Sequence, residues 1–209
     1  DNADTLFNTS QVLTTIAEDV AEDEDIPEAE VLKLLEEALE MQTKCLSIQE
    51  LKYEESLQHR RLAEEQADAP LPADAPAQAS APAGSSSAAE EDQWFTVVEP
   101  VTADTLIDTV LAQLGTLTTL CGVVSSSPES APSTALQWAE NHSTTLLSKL
   151  QILSQASPEK VQEMALTKAN FSSALLEAGY RSGKLEAATY KSERDAVFAV
   201  PELQLTSSL

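Results

Sequence analysis

The stretch "EEALEMQTKCLSIQE", residues 36–50, holds the reading that decides the fold. Leu39 and Leu46 stand seven apart, as the seam residues of a helix packed lengthwise on another helix do. Ala38 and Cys45 are also seven apart, so a row of small side chains runs beside the leucines. A bulky seam next to a thin edge predicts a helix whose neighbour comes close along that edge. Leu32 and Leu35 extend the seam toward the N-terminus and Tyr53 extends it the other way, so one helix is expected over 28–66. Pro27 suits its first turn, where a missing N–H costs nothing. The end of this helix, Glu54 to Gln66, is polar enough to project into solvent.

The same periodicity predicts helices elsewhere. Leu6, Leu13, Ala17 and Val20 share one face of a helix over 3–21. Thr102 can cap a helix over 103–124, with Leu106, Val110, Leu117, Cys121 and Val124 on one face and Ile107, Leu111 and Leu114 on another. A helix apolar on two faces is expected to be packed on both. Trp138, Leu146, Leu150 and Leu153 mark a helix over 133–154. Ser157-Pro158-Glu159 reads as a helix start, an N-cap followed by proline, and that helix should reach Gly179. A sixth helix is expected over 184–199, ended by Pro201. No segment carries a strand pattern, so the fold class is all-α, six helices in three antiparallel pairs.

Between the second and third helices lies "ADAPLPADAPAQASAPAGSSSAAEED", residues 67–92, which has almost nothing to bury. Such a composition cannot offset the entropy of ordering, and it predicts a disordered acidic linker. Residues 93–101, "QWFTVVEPV", are apolar, and Trp94 and Phe95 are expected to dock on the helices that follow. The chain thus divides into 1–66, the linker 67–92 and a helical region 93–209. It begins at Asp1 with no Met, signal or transit sequence, which reads as an excised or processed segment. No run is expected to be long and apolar enough to cross a membrane; the best, 105–124, is broken by Asp108, Gln113 and several threonines.

Charge is uneven. The net charge is −23, and residues 1–100 hold 24 acids against 5 Lys or Arg while 101–209 hold 11 against 7. This excludes nucleic acid and anionic membrane as direct partners, because phosphate binding needs the opposite sign. A basic protein is the partner such a surface suits. The densest tract runs from Glu18 to Glu30 and includes Glu18, Asp19, Glu22, Asp23, Glu24, Asp25 and Glu28. Like charges that dense resist close packing, so part of the tract is expected to be a solvated loop. The acids lack the D-x-D-x-D-G order of a calcium loop. Cys45 and Cys121 fall on apolar helix faces and are expected to be buried free thiols, which suits a reducing compartment. Three Asn-x-Ser/Thr triplets, at Asn8, Asn141 and Asn170, lie within the expected helices and carry no weight as glycosylation sites.

Three segments resemble the tetratricopeptide repeat (TPR) family. "DTLFNTSQVLTTIA" (4–17) looks like its first helix, with Phe7 and Asn8, small Ser10 at the usual glycine position and Leu13 three further on. "EALEMQTKCL" (37–46) is similar to its second helix, with Ala38 and Cys45 at the two small positions. "ANFSSALLEAGYRSG" (169–183) resembles another first helix through Ser172, Leu175 and Gly179. The 21 residues from Ala17 to Ala38 exceed the family's spacing, so the acidic tract would be an insertion inside the repeat. The resemblance implies a short α-solenoid of antiparallel helix pairs that binds proteins and performs no chemistry. TPR domains that grip acidic tails need a Lys, Arg and Asn cluster, and 12 basic residues in the whole chain do not supply one.

An enzyme needs convergent reactive groups, and none assembles from this sequence. His59 and His142 lie in different helices with no His, Cys or acid cluster at metal-ligand spacing. His59 precedes Arg60 and Arg61 on a polar helix end and is expected in solvent, whereas His142 reads as a satisfied core residue. There is no G-x-S-x-G and no phosphate-cradling glycine loop. No catalytic residue, cofactor, metal or small-molecule substrate is expected. The reading is a non-enzymatic scaffold, adaptor or dedicated chaperone for a Lys/Arg-rich client such as a ribosomal protein or histone, in cytoplasm or nucleus. The alternative is a structural helical subunit of a larger assembly.

Overall fold

A computed structural model describes residues 2–23, 25–67, 100–129 and 134–204. Seven α-helices follow in order: α1 (Ala3–Ala21), α2 (Glu28–Ala67), α3 (Ala103–Ser126), α4 (Ala135–Leu153), α5 (Val161–Arg181), α6 (Ala187–Val197) and α7 (Pro201–Gln204), with a 3₁₀ turn (Pro158–Lys160) before α5. The fold is all-α, and no strand occurs among the described residues. The linker 67–92 falls almost wholly outside the described residues, as do Trp94, Phe95 and Glu24.

The thin edge of α2 meets a thin edge on α1. Ala38 and Cys45 are fully buried, and so are Ser10 and Ala17, with Ala3 nearly so. Ala3, Ser10 and Ala17 are seven apart, the same interval. The two helices run antiparallel, and the Cys45 thiol lies within reach of the Phe7 backbone and Asp4 near the start of α1. Small side chains on both partners allow the close approach that the quoted stretch predicts. Leu6 and Leu13 are only half-buried, because the small residues, not the leucines, take the centre of the contact.

Helix α3 is the axis of the molecule. It packs on α2, α4 and α5, and touches α1. Leu106, Val110, Leu117, Cys121 and Val124 on one face, and Ile107, Leu111 and Leu114 on another, are all buried in one cluster that runs from Ala17 to Ala178. The residues of 1–66 and those beyond 100 therefore share a single core. By length and composition α3 does qualify as a membrane span, contrary to the expectation from its broken polarity. Several of its polar residues are satisfied locally: the hydroxyls of Thr116, Thr118 and Ser125 donate to carbonyls four residues back. Its apolar faces are buried among other helices, as in the core helix of a bundle.

Side-chain links fix the helix directions. Thr14 and Glu18 of α1 bond Thr116 and Thr119 of α3 in the same order, so α1 and α3 run parallel. Asp104 and Asp108 of α3 meet Ser157 and Lys160 ahead of α5, so α5 runs parallel to both. Helix α2 runs against α3, since Gln42 bonds Thr116 while Gln49 bonds Thr109.

Several boundaries differ from expectation. Thr102 does cap α3, in a reciprocal box with Thr105. Ser157 makes no capping bond; its hydroxyl donates to Asp104 instead, and a 3₁₀ turn precedes α5. The sixth helix is shorter, Ala187–Val197, and Pro201 opens α7, as suits a residue with fixed φ and no N–H. The acidic tract keeps its expected bounds: helix persists to Ala21 and resumes at Glu28, leaving residues 22–27 between them.

Both cysteines are free and buried. Burial pushes the Cys121 thiol up to about 12 and raises that of Cys45 as well. Thiolate, the reactive form, is thereby suppressed. Neither thiol should react with a thiol-specific dye at pH 8 in the folded protein, and both should react after unfolding. Prompt labelling of Cys121 without denaturant would contradict its place in the core.

Candidate protein-interaction site

Two features of the surface are organised enough to hold a partner. The first is the acidic end where α1 gives way to α2. Of the seven acids expected there, the structure brings Glu18, Asp19, Glu22, Asp23, Asp25 and Glu28 together around the turn 22–27, and Glu24 lies outside the described residues. Two are tied down. The Glu18 carboxylate accepts the Thr119 hydroxyl at 2.9 Å, and Glu28 accepts that of Ser127, a bond that holds the Glu28 carboxyl below its ordinary value. Asp23 accepts the backbone N–H of Asp25 at 3.0 Å, shaping the turn. Asp19, Glu22, Asp23 and Asp25 are exposed.

The placement of Glu18 and Asp19 is unfavourable for α1 itself. They occupy its last turn, where the helix dipole disfavours negative charge, and no basic residue stands there to compensate. Glu28 and Glu30, in the first turn of α2, are on the favourable end. Replacing Asp19 with Asn should therefore leave stability unchanged or raise it by about 0.3–1 kcal/mol. Thermal unfolding at low salt measures this, and a clear loss of stability would show that Asp19 has a structural role.

The second feature is a groove of about 640 Å³ between α2 and α4, lying over α3. Leu32 and Leu39 of α2 and Leu120 of α3 make its floor. Trp138 and His142, one turn apart on α4, stand in its wall with rings stacked at 5.1 Å. Glu36, Glu40 and Lys44 edge it from α2. Further along, Lys149 of α4 pairs with Glu50 of α2, so the two helices run parallel and are tied beyond the groove. Trp138 is 41% exposed, whereas Leu146 and Leu150, which mark the same helix, are buried.

A buried polar chain supports that wall. Gln113 of α3 donates its amide N–H to the Gln42 carbonyl at 3.4 Å, which leaves its oxygen to accept from the His142 Nε2–H at 3.3 Å. The imidazole is thus fixed in one tautomer and orientation. Burial pushes the His142 pKa below its ordinary value of 6.5. A lowered histidine pKa means that the unfolded chain binds more protons, so stability is full above about 6.5 and falls as pH drops toward the folded value. Unfolding measured at pH 7 and pH 5 should show that loss, and His142→Gln should reduce the pH dependence across this window. An unchanged slope in the variant would contradict a neutral, half-buried His142. His59 is exposed, as expected of a polar helix end.

The sequence reading passed over this polar chain. Gln42 and Gln49, and Thr109 and Thr116, are pairs seven apart on otherwise apolar faces, and that repeat was the available signal. A cleft of about 720 Å³ also lies among α4, α5 and the C-terminal helices, lined by serines and apolar side chains. No group of His, Cys and acids arranged to hold a metal occurs among the described residues. Comparison with protein-family models, curated proteins and solved structures yields no match to this chain.

Proposed function

We propose that this chain is a non-enzymatic protein-binding scaffold, an adaptor or dedicated chaperone, that holds a Lys/Arg-rich client such as a ribosomal protein or histone. The observation that carries the reading is the acidic end: six described acids are gathered at two helix termini and the short connection between them, five of them exposed. A rigid, concentrated negative edge attracts a basic partner and speeds its encounter. The parallel run of α1, α3 and α5 against α2, with small residues between α1 and α2, supports a TPR-like arrangement. Two free, buried thiols accord with cytoplasm or nucleus.

A second reading, a structural arm in a larger assembly, is favoured by the distal half of α2. That segment stands away from the core and exposes Leu51 and Leu62. An arm would make salt-resistant apolar contacts, whereas the client surface would not.

The test replaces Glu22, Asp23, Glu24 and Asp25 with Ser and Asn and follows association with a histone by stopped flow. Single exposed pairs are worth about 0–1 kcal/mol, so four changes together are needed. Association should slow and its salt dependence should flatten between about 50 and 200 mM, where the Debye length falls from about 14 to about 7 Å. The same rate and salt slope in the variant would mean that the tract serves solubility alone.

A further inference from the structure

We propose that the α2–α4 groove is a subsite for an arginine side chain presented by a basic polypeptide. This rests on the protein-binding reading above but assigns a separate place and a defined chemistry. Three features of the groove meet in one side chain. An apolar floor of Leu32, Leu39 and Leu120 suits a methylene stem, which buries well while its charged head stays near water. The exposed indole of Trp138 offers a flat π surface for a cation. Glu36 and Glu40 stand at the edge to accept N–H donors. A purely apolar ligand leaves the two carboxylates unused, and an acidic one is repelled by them. Lysine has the stem and the charge, but it lacks the planar fork that both stacks on an indole and bonds a carboxylate through two parallel N–H groups.

The groove is preformed. His142 braces one face of the indole and is itself held by Gln113, so the aromatic wall keeps its orientation without a ligand. Such preorganisation removes part of the ordering cost of binding. Lys44 is the competing cation at this edge of the groove. Its ammonium bonds Glu40 at 2.8 Å and holds the Glu40 carboxyl below its ordinary value, while both side chains stay largely in solvent. An incoming guanidinium therefore displaces Lys44 from Glu40. The consequence is a sign that simple charge attraction elsewhere on the chain does not give: removing Lys44 strengthens binding at this groove far more than removing a lysine at a distance.

The experiment titrates the full chain with three blocked peptides, identical except for one residue that is arginine, lysine or citrulline. It follows the Trp138 indole N–H by NMR, assigned against Trp94→Phe. The arginine peptide should shift that signal saturably. Lysine should bind about 3-fold more weakly, and citrulline, which keeps the shape and loses the charge, about 10-fold or more. Glu36→Gln should weaken arginine binding about 3–10-fold, Lys44→Ala should tighten it about 2–5-fold, and Lys52→Ala, an equal change of net charge further along α2, should leave it unchanged. An unmoved indole, equal binding of citrulline, or equal effects of Lys44→Ala and Lys52→Ala would overturn the assignment. So would indole shifts that track protein concentration without peptide, which would mark the groove as a contact between copies. The tract variant used above separates the two proposals. A histone that still depends on the tract while the groove stays silent refutes this inference alone. Arginine binding in the groove of a chain that takes up no basic protein refutes the broader function alone.

Discussion

Ala38→Leu should lower the free energy of unfolding by about 1–3 kcal/mol, the cost of forcing added methylenes into a closely packed contact. Ala38 is fully buried, and the opposing helix presents a buried row made of small residues alone, Ala3, Ser10 and Ala17. A leucine at 38 has to push the α1 axis outward, and Ser10, whose hydroxyl donates to the Phe7 carbonyl at 2.6 Å, has little room to yield. Cys45→Leu should behave alike, since its thiol is fully buried beside the Phe7 backbone and Thr109. The control is Ala29→Leu, the same change at an exposed position of α2, which should be near neutral. Urea unfolding of all three variants decides the matter. Equal stability of the 38 and 29 variants would remove the close helix approach from which the arrangement is argued.

Thr116→Val should cost about 1–3 kcal/mol, because it strands a buried amide. The Gln42 Nε2–H donates to Thr116 Oγ1 at 3.0 Å, and Gln42 Oε1 already has no partner. Valine keeps the shape of threonine and removes the acceptor, leaving both ends of a fully buried amide unpaired. The double variant Thr116→Val with Gln42→Met removes the amide as well and should recover most of the loss, by the asymmetry between orphaning a polar group and deleting the pair. Losses that merely add would mean that the two side chains are not coupled. The pair matters beyond its energy. Gln42 with Thr116 and Gln49 with Thr109 repeat at seven-residue intervals in opposite chain directions. A slip of α2 along α3 by one turn breaks both pairs at once, so the polar ladder selects a single register in an interface that leucines alone would leave slippery.

How much of this was legible in the sequence depended on the kind of signal. Helix positions followed from apolar spacing, and the thin edge at Ala38 and Cys45 announced close packing before any partner was known. The partner edge was harder to see. Ala3, Ser10 and Ala17 share a row with nothing bulky, and the eye goes to Leu6 and Leu13, which turn out to flank the contact. Trp138 marked its helix together with Leu146 and Leu150; only tertiary packing shows that α2 and α4 leave it at a groove. Periodicity reports which face of a helix is apolar, and it does not report whether a neighbour arrives to cover that face. The acidic tract was legible with its division between two helix ends, and helix does continue through Glu18 and Asp19 against the dipole. Propensity and packing against α3, including the bond to Thr119, outweigh that cost.

The proposed hold on a basic protein acts through charge placed on a helical frame. It is tested most directly by using the intact chain as bait in native cell extract, washing at about 50 and about 500 mM salt, and identifying what is released by mass spectrometry. A small set of Lys/Arg-rich proteins should be retained at low salt, shed at high salt, and depleted when Glu22, Asp23, Glu24 and Asp25 are neutralised. Partners that are acidic or neutral, that survive the high-salt wash and that ignore those four positions would contradict it and point to a permanent structural arm.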